Sequence, residues 1–166
     1  MPYQRTDFDL GPSLDDELRV DQRCRALLQA FHRYLLQQRQ LAPLEAGSLA
    51  AGTDYLLRDF LIDHCRENIL DLSPQRLRQF GGTWYILKNL EPNLKELRRS
   101  LQGCVYFASY CASLGLMAPE REQALAVVAA DEMFFQQRID AFHALKGDGY
   151  TTWEAACTLD DVGRVL

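Results

Sequence analysis

The residues of this chain with the types and spacing for chemistry fall into two sets. Lys95, Arg98, Arg99, Gln102, Tyr106 and Tyr110 recur at intervals of one to four residues, and at about 100° per residue they follow one side of a helix. Cations so placed neutralise phosphates and tyrosine rings stack on bases, which is the chemistry of nucleic-acid contact. Arg76, Arg78 and Lys88 would join them if the preceding helix packs alongside. The second set is Asp131 and Arg138, seven residues apart within an otherwise apolar arc. Burying either charge alone is expensive. The two must therefore pair with each other, pair with groups on neighbouring helices, or line the opening of a small-molecule or catalytic site.

Motifs for other chemistry are missing. The chain has no serine-nucleophile elbow, zinc-protease helix, C-x-x-C pair, phosphate loop or dinucleotide fingerprint. Asp140 and His143 have a carboxylate–histidine spacing, but a four-helix di-iron site needs two Glu-x-x-His motifs and two further glutamates. The five cysteines, Cys24, Cys65, Cys104, Cys111 and Cys157, read as reduced thiols, and three of them lie on apolar arcs as small hydrophobes. Neither a cofactor nor an enzymatic activity is expected.

The elements that must position these residues are helices. PNLKELRRSLQGCVYFASYCASL, from Pro92 to Leu114, has the strongest helical period, with Leu94, Leu97, Leu101, Cys104, Val105, Ala108 and Cys111 on one arc and Gly115 as a left-handed stop. Its second half is apolar over more than half its girth, which places it at the centre of a bundle. Ser13 caps a first helix over Leu14 to Gln40 with Val20, Cys24, Leu27, Leu28, Phe31, Tyr34 and Leu35 inward. Pro43, Gly47 and Gly52 make Leu41 to Gly52 a connector holding at most a short turn from Leu44, and Thr53 or Asp54 caps a buried helix, YLLRDFLIDHC, whose His64 reads as a hydrogen-bonded core residue. Ser73-Pro74 starts the next helix, in which Gly81-Gly82 either kinks it, splits it with Thr83 capping a second piece, or lets another backbone approach closely. Pro119 opens a helix to about Leu145, with Ala124, Val127, Val128, Phe134, Phe135, Ile139, Phe142 and Leu145 inward. Thr151 and Glu154 fit a capping box for a short helix anchored by Trp153, and Leu159 to Leu166 adds at most another turn.

Composition fits a globular protein: 48% of the 166 residues are hydrophobic and 25% charged. The net charge of −5 is uneven. Residues 1–54 carry 6 basic and 8 acidic groups, residues 55–117 carry 8 and 6, and residues 118–166 carry 4 and 9. Bulk charge therefore cannot hold nucleic acid, and any such contact must be local to the middle third. No apolar run is long enough to span a membrane, and the polar start, MPYQRTDFDLGPS, lacks a signal-peptide core, so the cytoplasm is the expected location.

Residues 56–119, with FLIDHC, LSPQRLRQFGGTW and LRRSLQGCVYFASYCASLGLMAP, resemble the helical core-binding domain that precedes the catalytic domain of tyrosine recombinases. The resemblance implies a helical arrangement and a DNA-facing surface at Lys95, Arg98 and Arg99. It does not imply recombination, because the catalytic arginines, histidine and tyrosine have no counterpart here.

The expected fold is thus a single all-α bundle of about five main helices around residues 92–114, with residues 1–12 as an arm and residues 13–166 as one helical domain. The expected function is a non-enzymatic binding or assembly module for a protein partner or a second copy of itself. Nucleic-acid contact through the basic set is the alternative, and a small-molecule or enzymatic site near Asp131 and Arg138 is a second one.

Overall fold

The computed structural model describes residues 3–162, all of whose regular elements are helices. They are α1 (Leu14–Gln37), α2 (Pro43–Asp54), α3 (Pro74–Gln79), α4 (Tyr85–Lys88), α5 (Leu94–Ser113), α6 (Pro119–Ala130), α7 (Glu132–His143) and α8 (Tyr150–Ala155). α5 is the central helix. Asn93 rather than Pro92 begins it, its side-chain oxygen accepting from the Glu96 N–H at 2.8 Å. Leu97, Leu101, Cys104, Phe107 and Cys111 are fully buried. At its end Gly115 takes φ +73°, and the Leu116 and Gly115 N–H groups donate back to Cys111 and Ala112. That pair of bonds is the Schellman stop that the glycine announces.

The stretch expected to be a connector is instead helical. Pro43 supplies the first turn, alanines favour continuation, and of the two glycines Gly52 serves a close approach while Gly47 stands in open space. A Cβ on Gly52 would lie 2.6 Å from the Arg99 carbonyl carbon and the Ser100 nitrogen, and one on Gly103 would lie 2.6 Å from the Leu49 oxygen. α2 and α5 thus cross with their backbones nearly touching. Thr53 and Asp54 cap nothing: Thr53 donates back to the Leu49 carbonyl at 2.8 Å, and the chain runs on into a π-helical stretch, Tyr55–His64. The Cys65 N–H closes that stretch on the Phe60 carbonyl, five residues back.

Ser73 and Pro74 start α3 as expected, the Ser73 hydroxyl accepting from the Arg76 N–H. The helical path runs on through Gly81-Gly82, where side chains rather than another backbone come close. A second π-helical turn, Phe80–Trp84, carries α3 into α4, and the glycines leave room for α7: a Cβ on Gly81 would meet the Phe135 ring at 2.6 Å. Rings from the two π-helical stretches interlock, with Phe60 and Trp84 centroids 5.3 Å apart and Phe60 and Phe80 5.5 Å apart.

The expected single helix from Pro119 to Leu145 is two. Asp131 sits between α6 and α7 with φ −80° and ψ 59°, its carboxylate capping the Phe134 N–H. The break changes the phase of the inward face. Leu125, Val128 and Ala129 are buried on α6, whereas Val127, expected inside, is 74% exposed. The expected capping box at Thr151 is absent, since α8 begins at Tyr150, two residues before the expected Thr152, and Glu154 instead accepts from Thr158 and the Leu159 N–H. Trp153 does anchor α8, donating from its indole to the Arg138 carbonyl at 3.0 Å. A bond from the Val162 N–H to Leu159 adds a final turn, and the remainder of the turn expected to reach Leu166 lies outside the described residues. The N-terminal arm packs: Phe8 is fully buried, and Asn68 donates to the Arg5 carbonyl and the Asp9 carboxylate. Among the described residues no helix is long and apolar enough to cross a membrane.

Candidate functional site

The basic and aromatic residues of α5 do not form one open face. Lys95 and Gln102 are exposed. Arg98 is held by Glu132 at 2.6 Å and Arg99 faces Glu96 at 3.8 Å. Tyr110 is buried, its ring 4.8 Å from that of Tyr34, and Tyr106 lies beneath the Arg39 guanidinium at 4.8 Å. The cations of the preceding helix are engaged as well. Arg76 pairs with Glu67 and Asp161, Arg78 lies over Phe134 near Asp131, and Lys88 lies over Trp84.

Asp131 and Arg138 do not pair with each other. Because α6 ends at Ala130, Asp131 is turned outward, where it caps α7 and faces Arg78 at 3.6 Å. Arg138 is 7% exposed and faces no carboxylate within ion-pair distance among the described residues. Its Nε donates to the Gly82 carbonyl at 2.8 Å, Nη1 to the Trp153 carbonyl at 2.5 Å and Nη2 to the Thr83 hydroxyl at 3.0 Å. The guanidinium also stacks on Trp153 at 4.0 Å. Burial pulls its pKa below the usual arginine value. Thr83 in turn donates to the Cys157 carbonyl, and Gln79 donates to Thr158 and Asp161. Three of the few buried polar side chains therefore hold the segment from Trp153 to Asp161 against the double-glycine turn, which makes Arg138 a fastening of the fold.

The other groups with reactive chemistry are also absorbed by packing. Burial pushes the Cys24 and Cys65 thiols up to about 12 and raises Cys104 and Cys111 as well, so they are not thiolates at neutral pH. Half-buried His64 stacks on Phe60 instead of sitting hydrogen-bonded in the core, and burial, with Lys88 nearby, lowers its pKa. No group of three or more potential metal ligands occurs among the described residues.

Among the described residues a groove of about 610 Å³ lies between α5 and α6, with Arg39, just after α1, and Glu45 of α2 in its lining. α5 contributes Gln102, Val105, Tyr106 and Ser109, and α6 contributes Glu122, Ala126, Ala129 and Ala130, both at helical-face spacing. Arg39, Glu45 and Glu132 complete the rim. The space exists because alanine side chains on α6 leave room that leucines would fill. Leu44, adjacent in sequence to Glu45, is 90% exposed, and Val127, adjacent in sequence to Ala126, is 74% exposed. A second depression, about 650 Å³, lies where the arm meets the Asn68 turn. Its arginines are tied up, Arg66 with Glu17 and Arg76 with Glu67, so it is a polar seam between elements. Gln102 and Tyr106 were visible in the sequence as site candidates, whereas the α6 stripe was not, because three alanines carry no polar signal. The chain matches no protein-family model, no curated protein and no solved structure.

Proposed function

We propose that the protein is a helical binding module that takes up a segment of another protein in the groove between α5 and α6, without chemistry of its own. One observation carries this reading: an alanine-lined groove between two helices is a geometry that receives an inserted helix or extended segment. It is supported by the way the charged and reactive side chains are engaged elsewhere in the fold. Nucleic-acid contact at Lys95, Arg98 and Arg99 is the weaker alternative, since Arg98 faces Glu132 and the Tyr110 ring is buried. A photo-crosslinking residue placed at Gln102 tests the reading in cells. It should give a discrete protein adduct that Ala126→Trp suppresses, while the same probe at exposed Gln22 on α1 should not. Equal adducts at both positions, or an adduct indifferent to Ala126→Trp, would refute it.

A further inference from the structure

We infer that the occupant of the α5–α6 groove is a basic amphipathic segment of a partner protein, one that sets apolar side chains on the alanine floor and lysines or arginines at the rim. The inference rests on the groove being a protein-binding site and names what binds there. Three carboxylates, Glu45, Glu122 and Glu132, stand on the rim. Among the described residues Glu45 and Glu122 have no ion-pair partner, and Glu132 shares only Arg98. The single lining cation, Arg39, is exposed, with its guanidinium 4.8 Å over the Tyr106 ring and 3.5 Å from the Tyr34 hydroxyl, and Arg98 answers Glu132, so Glu45 and Glu122 stand against one cation. The rim therefore presents excess negative charge around an apolar floor. A partner of opposite sign gains both on-rate and register from that arrangement.

The same charge argues against the other occupants. A second copy of the chain brings a net charge of −5 to meet −5, and its basic side chains are mostly committed to ion pairs of their own. Nucleic acid would bring phosphates to a carboxylate rim. An apolar segment without cations would leave Glu45 and Glu122 beside it with nothing to meet them.

The experiment uses the full chain and two labelled helical peptides with identical leucine and alanine positions, one bearing lysines and the other glutamates, read by fluorescence anisotropy at low and at moderate salt. The lysine peptide should bind, more weakly as salt rises, and the glutamate peptide should not. Glu45→Gln with Glu122→Gln should weaken the lysine peptide roughly tenfold, as expected for two rim charge pairs. Ala126→Trp should abolish binding, and Gln102→Trp, at an exposed position, guards against a variant that merely fails to fold. If both peptides bind equally and both tryptophans abolish binding, the groove is a docking site and the charge inference is overturned. If neither peptide binds, or the tryptophans leave lysine-peptide binding unchanged, the groove is not the site and both fall.

Discussion

Replacing Arg138 with methionine tests whether its hydrogen bonds hold the C-terminal segment in place. Methionine keeps most of the side chain's volume and removes its donors. The charged hydrogen bonds to the Gly82 and Trp153 carbonyls would then be lost, each worth about 1.5–3 kcal/mol. Loss of the stack on Trp153 adds up to ~2 kcal/mol. Against this stands the desolvation that lowers the Arg138 pKa, a penalty that methionine does not carry. The balance is a net destabilisation of about 3 kcal/mol, which for a chain of this size lowers Tm by roughly 6–12 °C. Circular dichroism and tryptophan fluorescence should both register it, and amide exchange should rise first around Trp153 and Cys157. Arg138→Lys should lose nearly as much, because one ammonium cannot reach three acceptors that diverge from a planar fork. Buried charges are often replaced by apolar side chains without loss. A methionine variant as stable as the parent would therefore refute the role of this hydrogen-bond set in holding the segment down.

Three further outcomes are expected. Gly52→Ala and Gly103→Ala should each cost about 1–3 kcal/mol in denaturant titrations, since the added Cβ meets backbone at 2.6 Å, whereas Gly47→Ala, with open space around it, should be neutral or stabilising. The His64 ring should titrate below the ordinary histidine value of about 6.5 in an NMR experiment. Its lowered folded-state pKa contributes stability that is fully present above the unfolded value and is lost as pH falls through it, so His64→Gln should flatten the decline in Tm on the acid side of neutrality; a midpoint above 6.5 would reverse the assignment. Cys24, Cys65, Cys104 and Cys111 should react with a thiol reagent only as fast as the protein unfolds, and rapid labelling of any of them in the native state would contradict their burial.

The fold was legible where side-chain period and caps agreed. The α5 arc, its glycine stop, the stripe of α1 and the Ser73-Pro74 start are local signals, and the structure keeps each of them. The departures share a cause. Gly47, Gly52, Gly81 and Gly82 look like breakers in one dimension, yet Gly52, Gly81 and Gly82 serve helix crossings whose partners, Arg99, Phe135 and Phe134, are about 50 residues away in the chain. A glycine's local cost of about 1 kcal/mol is outweighed when it lets two helices bury their faces closely, and nothing nearby in the sequence records that gain. Asp131 is the reverse case, a helix-compatible residue in a periodic run that acts as a cap because Arg78 lies opposite.

The groove was half visible for a similar cause. Gln102 and Tyr106 stand out as polar residues on an amphipathic helix, so the sequence marks the α5 wall. Whether such a wall is covered depends on the size of the side chains opposite it. On α6 these are Ala126, Ala129 and Ala130, with Val127 turned to solvent by the phase change at Asp131. Had α6 continued unbroken with Val127 inward, that side chain would lie toward α5 and the space would be smaller. The depression therefore results from one capping aspartate and a choice of small residues, and the carboxylates of Glu45, Glu122 and Glu132 reach its rim from three separate elements. Only folding brings those charges together, which is why the acidic balance of the last third of the chain had no location until the helices were packed.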